Sequence, residues 1–147
     1  YKAQALQAYA NDPNGFQPYY CVGAYNVTRS TNGYASFLGT VSSYAGGTEQ
    51  AQYTSHTYAM SSGREGALSE LVSDSQADLQ ALWKASFTAL IEADEDAFYS
   101  DAESRLARSL NQVQFYLTDS SIVFYLSPGI IAPAATGAVS FEIAYQI

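Results

Sequence analysis

The chain has 147 residues, 48% hydrophobic and 14% charged, enough apolar material for one compact domain with a sizeable core. Six Lys and Arg against fourteen Asp and Glu leave a net charge of -8, which argues against a nucleic-acid backbone or an anionic membrane surface as partner and permits a cationic one. A single cysteine, Cys21, excludes an intrachain disulfide framework and reads as a small buried apolar residue, and no apolar run reaches membrane-spanning length.

Tyr1 to Ala10 is rich in strong helix formers, with Ala3, Leu6, Tyr9 and Ala10 on one face, and the turn residues Asn11-Asp12-Pro13-Asn14-Gly15 end that first helix. A Pro18-led segment precedes two strands, Tyr20 to Thr28 and Tyr34 to Tyr44, expected to pair antiparallel across Arg29-Ser30-Thr31-Asn32-Gly33. Within that connection Asn32-Gly33 supplies the positive φ that a tight turn needs. Ala45-Gly46-Gly47-Thr48 breaks the chain, Gln50 to Met60 alternates as a half-exposed third strand, and Ser61-Ser62-Gly63-Arg64 closes it.

The middle is helical. Leu68 to Val72 forms a short turn, and Ser73-Asp74-Ser75-Gln76 has the pattern of a capping box. Behind it Leu79, Leu82, Trp83, Phe87, Leu90 and Ile91 make one apolar stripe of a long helix that should pack on the sheet. A second box, Ser100-Asp101-Ala102-Glu103, opens a shorter helix to about Leu110, with Leu106 and Leu110 inward and Arg105 and Arg108 near its negative end. Phe115-Tyr116-Leu117 and Ile122 to Leu126 then flank Thr118-Asp119-Ser120-Ser121 as a hairpin, apolar on nearly every residue and so covered on both faces. Ser127-Pro128-Gly129, the loop Ala132 to Gly137 and a closing strand, Val139 to Tyr145, complete the chain. The expected fold is α+β: a twisted, mainly antiparallel sheet of roughly five to six strands, helices packed on one face, the hairpin at its centre, in a single domain.

The residues offer little catalytic chemistry. His56 is the only histidine, so neither a triad nor a His-rich metal site is available, and in an alternating strand it is most simply an exposed or hydrogen-bonded surface residue. The acidic run Glu92, Asp94, Glu95, Asp96, Asp101 and Glu103 lacks calcium-loop spacing and is most simply a solvated surface around a helix end and the next helix start. Gly46-Gly47 has no Walker-type lysine behind it. Thirteen tyrosines offer flat apolar faces with polar tips, suited to a carbohydrate or protein surface as well as to ordinary sheet packing. A carboxylate enzyme would require Glu49 to converge with Glu142 or Asp119. No residue is assigned a catalytic, ligand-binding or metal role, and no cofactor is expected.

The stretch FYLTDSSIVFYL at 115–126, with Ala132-Pro133, Gly137 and the strand Val139-Ser140-Phe141-Glu142-Ile143 through Tyr145, resembles the C-terminal domain of RsiV-type anti-sigma factors. Ser43-Tyr44-Ala45-Gly46-Gly47, Tyr58-Ala59-Met60, Gly63 and Leu68 to Val72 resemble the linked upstream region, so 46–147 correspond to that family, while residues 1–45 resemble the companion domain of PdaC-type peptidoglycan deacetylases. The chain departs from the pattern at Glu49, where the family commonly has histidine, and at Ser121, where the hairpin tip commonly has glycine. The resemblance implies a non-catalytic, extracytoplasmic binding or sensor module, its relatives including lysozyme-binding sensors; the alternative is an accessory cell-wall or carbohydrate-binding module. A cationic protein or wall component is the implied partner, with no nucleic acid and no membrane insertion within the chain. With no charged leader and apolar core at its start, the chain is expected to be a fragment of a membrane-anchored or lipoprotein precursor.

Overall fold

The computed structural model describes residues 1–144. Among them are four α-helices, α1 (Lys2–Asn11), α2 (Leu68–Leu71), α3 (Gln76–Ala93) and α4 (Ala102–Ser109). Six strands accompany them: β1 (Tyr20–Thr31), β2 (Tyr34–Tyr44), β3 (Gln50–Ala59), β4 (Gln114–Leu117), β5 (Ser121–Leu126) and β6 (Val139–Ala144). The α+β class and antiparallel pairing hold, but the strands divide into two three-stranded sheets, β1-β2-β3 and β4-β5-β6, rather than one. Tyr145, at the expected end of the last strand, lies outside the described residues.

The second sheet carries the core. β5 lies in its middle with all six residues buried, as the apolar run Ile122 to Leu126 requires, while β4 is an edge strand. The α3 stripe packs on this sheet: Trp83 meets Phe124 at 5.7 Å between ring centroids, and Phe87 meets Phe141 edge-on at 5.0 Å. The buried members are Leu79, Trp83, Phe87 and Ile91, a strict four-residue spacing, whereas Leu82 drifts off the stripe and stays 37% exposed. Leu106 of α4 joins this core and Leu110 is half-buried.

Local chemistry explains several boundaries. Asn32 (φ 50°) and Gly33 (φ 81°) form the tight β1–β2 turn. The β4–β5 turn needs no glycine at Ser121, because the Thr118 hydroxyl accepts from the Ser121 N–H at 3.0 Å while Thr118 N–H donates to the Ser121 carbonyl at 2.9 Å. At α3 the N-cap is Ser75, not Ser73: its hydroxyl accepts from Asp78 N–H at 3.2 Å and bonds the Asp78 carboxylate at 2.6 Å. The pattern Ser-x-x-Asp two residues downstream thus prevails over Ser73-x-x-Gln76. At α4 the N-cap is Asp101 and makes no side-chain cap bond, its carboxylate being engaged by Arg105 instead. On α1 the expected inward face is not the covered one. Leu6 and Tyr9 are 60% and 53% exposed, and only the small Ala5 and Ala8 are half-buried.

The two sheets meet through polar groups. A β-bulge between Val27 and Arg29 reverses the alternation of β1, so Arg29 stands opposite Ser36 on the face turned to the second sheet. Arg29 is therefore a buried strand residue, 2% exposed, rather than part of a connecting loop. Its Nη1 donates to the Thr118 carbonyl at 3.2 Å, and its Nε donates to the Thr31 carbonyl at 3.2 Å. Beside it the buried Ser36 hydroxyl accepts from Leu117 N–H at 2.9 Å and shares a 2.9 Å hydrogen bond with Thr57 Oγ1.

Two outcomes are expected on chemical denaturation. Phe124→Ala removes a ring 1% exposed between Trp83 and Phe141 and should destabilise by about 3–5 kcal/mol. Ser36→Ala leaves the Leu117 N–H without its acceptor and should cost about 1–3 kcal/mol, more than deleting a surface hydroxyl.

Candidate functional site

The residues of the acidic run come together where α3 ends and α4 begins. After Ala93 the chain makes a short 3-10 turn (Glu95–Ala97) and then returns to α4 through Phe98, Tyr99 and Ser100. Tyr99 N–H donates to the Ile131 carbonyl at 3.1 Å, which pins this return to the body of the domain. The result is a cleft of about 670 Å³ lined by Glu92, Glu95, Asp96, Asp101 and Glu103, with Ile91, Phe98, Tyr99 and Ala102 supplying apolar wall. Of the six acidic residues only Asp94, at the junction of α3 and the 3-10 turn, does not line it.

One basic side chain tempers the cleft. Arg105 lies over the Tyr99 ring, 4.2 Å from its centroid, and its Nε donates to Asp101 Oδ1 at 2.6 Å. That hydrogen bond holds the Asp101 carboxyl below the usual carboxylate range. Glu92, Glu95, Asp96 and Glu103 are all exposed around the rim. Among the described residues no three His, Cys, Asp or Glu side chains are placed to hold a metal ion. Separate carboxylates around an aromatic wall suit several cationic side chains better than one compact ion.

The remaining sequence candidates are scattered. His56 is bound by Glu65, Nδ1 to Oε1 2.7 Å, and stacks on Tyr58, so it is the hydrogen-bonded surface residue expected. Cys21 is exposed on β1, not buried, because that edge strand is covered on neither face along most of its length. Glu49 sits with Tyr20 and Tyr44 at one end of the first sheet, whereas Asp119 accepts from the Thr31 hydroxyl at 3.3 Å at the other. The extended strand from Tyr20 to Thr31 spans ~36 Å, so Glu49 and Asp119 cannot share a catalytic centre. Glu142 lies beside Tyr116, whose hydroxyl is pushed up by burial and then by that charge. The residue pattern alone did not reveal Arg29 or the aromatic wall of the acidic cleft. The available signal for the first is the alternation Tyr25-Asn26-Val27-Thr28, which breaks at Arg29.

Comparison with known families places residues 65–146, which include the whole acidic cleft, in a family described as a protein of unknown function, DUF3298. The chain belongs to this family. A DUF3298 member from Bacteroides fragilis superposes with a TM-score of 0.69 at 23% identity, over 98% of this chain and 58% of that one. A DUF3298 protein from Pseudomonas aeruginosa superposes with a TM-score of 0.65 at 12% identity, over 86% of this chain and 59% of that one. The chain therefore spans under two thirds of either solved protein, and at these identities the likeness concerns the fold. No curated protein matches it. The acidic cleft thus lies wholly within the DUF3298 region.

The Arg105 contact yields a titration. Because the folded-state pKa of Asp101 is depressed, the pairing is complete above the ordinary Asp value and is lost as pH falls through the lower folded value. Arg105→Leu should return Asp101 to the ordinary range, read by carboxyl-carbon NMR titration.

Proposed function

We propose that this DUF3298 domain is a non-catalytic, extracytoplasmic binding module whose acidic cleft receives a cationic protein such as lysozyme. The observation that carries the reading is the gathering of five carboxylates into one cleft on a chain of net charge -8. Such a surface steers a basic partner at long range. Phe98 and Tyr99 then give a docked Lys or Arg side chain an apolar and π-rich wall once the charges have met. The resemblance of residues 115–145 to RsiV-type sensor domains supports the same class of partner and a placement outside the cytoplasm.

Calorimetric titration with lysozyme tests this. Binding should weaken as salt rises, because the screening length contracts from about 10 Å at 0.1 M to about 3 Å at 1 M. The double variant Glu95→Lys/Asp96→Lys should lower affinity by about tenfold or more, with most of the salt dependence removed. Absence of binding at low salt would overturn the reading, as would turnover of a cell-wall substrate that Glu49→Ala, Asp119→Ala or Glu142→Ala abolishes.

A further inference from the structure

The outer rim of the first sheet stands open. β1 is the end strand of that sheet, and among the described residues no strand pairs with its other side. Eight consecutive residues, Tyr20 to Val27, are exposed on both faces, with Val22 on one face 59% exposed and Tyr25 and Val27 on the other 65% and 62% exposed. The run holds neither charge nor proline, and in an end strand every second residue turns its N–H and C=O outward. Tyr25 leans inward over its cross-strand partner Gly39, where an added Cβ would meet a carbon of the Tyr25 ring at 2.5 Å, so its ring does not block the rim. Charge sets this layer apart from the rest of the chain. Residues 1–64 carry three basic and two acidic side chains, whereas residues 65–147 carry three basic and twelve acidic ones.

We propose that the β1 rim pairs with the β1 rim of a second copy of this chain, antiparallel about a two-fold axis, so that two three-stranded sheets join into one of six. The occupant of this rim has to be an extended, uncharged segment with apolar side chains on both faces, and β1 is itself such a segment. β2 already holds β1 as a strand, so pairing of two copies avoids the ordering cost that a disordered peptide pays on binding. Repulsion between two chains of net charge -8 is least where they meet through their nearly neutral layers. An isologous contact uses both rims and therefore closes at two copies. The other side of the sheet does not extend the array, because Arg64 to Gly66 cover the end of β3: Gly66 N–H donates to the Thr57 carbonyl at 2.8 Å and Ala59 N–H to the Arg64 carbonyl at 2.9 Å. A two-fold through the middle of the run sets Gly23 or Ala24 against itself. Cys21 then faces Tyr25 or Val27 of the second copy, and the two Cys21 residues lie ~13–20 Å apart along the strands, beyond disulfide reach. The pairing is independent of the acidic cleft and does not rest on that cleft's proposed partner.

Sedimentation equilibrium over a concentration series tests the pairing. The 15.9 kDa chain should approach twice that mass at about millimolar concentration, as expected of a small interface. Association should strengthen as salt rises, because screening relieves the repulsion between copies, which is opposite in sign to the salt effect on a cationic partner. Val22→Lys/Val27→Lys changes two exposed positions where folding is not at stake and should weaken self-association by about tenfold or more. Glu95→Lys/Asp96→Lys should leave the dimer in place, which separates this surface from the acidic cleft. Mild oxidation reads the register: Cys21→Ser/Gly23→Cys or Cys21→Ser/Ala24→Cys should give a disulfide-linked dimer, whereas the unaltered chain should not. A monomer at every concentration, a dimer that survives Val22→Lys/Val27→Lys, or cross-linking at neither 23 nor 24 would overturn the proposal. So would a chain that stays monomeric while its β1 amide NMR signals shift saturably with an added extended peptide, in favour of a partner strand from another protein.

Discussion

The outer edge of β4 needs hydrogen-bond partners, and much of the architecture follows from where it finds them. An edge strand buried against another layer cannot leave its backbone groups unpaired. Here side chains of the first sheet do the work that a further strand would otherwise do: Ser36 takes the Leu117 N–H and Arg29 donates to the Thr118 carbonyl. Because side chains rather than backbone close this edge, the sheets stay separate, and six strands become two groups of three. The arrangement demands two buried polar residues, and Thr57 completes it by hydrogen-bonding Ser36. A buried guanidinium is tolerable there because the Thr31 and Thr118 carbonyls accept hydrogen bonds from it.

What could be read from the residues alone was what short-range rules decide. Asn32-Gly33 specifies its turn through backbone sterics, β5 announces its burial by having no polar alternation, and the α3 stripe repeats every four residues. The errors fall where a choice depends on something far along the chain. The α3 cap is the local exception: Ser73 and Ser75 compete, and Ser75 prevails through its bonds to the Asp78 N–H and carboxylate. Arg29 reads as a loop residue because the bulge breaks the period on which strand reading depends. The split of the sheet depends on Ser36 reaching Leu117 across 81 positions, which no local pattern records.

The candidate site follows the same logic. Each acidic residue around the α3–α4 junction is visible in the sequence and has an ordinary explanation at a helix end. Their concavity comes from the turn at Glu95–Ala97 and from the anchoring of Tyr99 on Ile131, which is a tertiary fact.

The bulge at Thr28 has a bearing on how this protein behaves in a crowded solution. β1 is a long outer strand whose residues from Tyr20 to Thr28 carry neither charge nor proline, the usual deterrents to strand addition. The extra residue bends the strand and tightens its twist just before Arg29 turns inward, so the straight run of unpaired backbone is cut short. Removing Thr28 would keep Val27 opposite Phe37 and Arg29 opposite Ser36 while straightening that run. Thr28, which pairs with nothing within the sheet, therefore limits the regular rim of β1 to the run from Tyr20 to Val27.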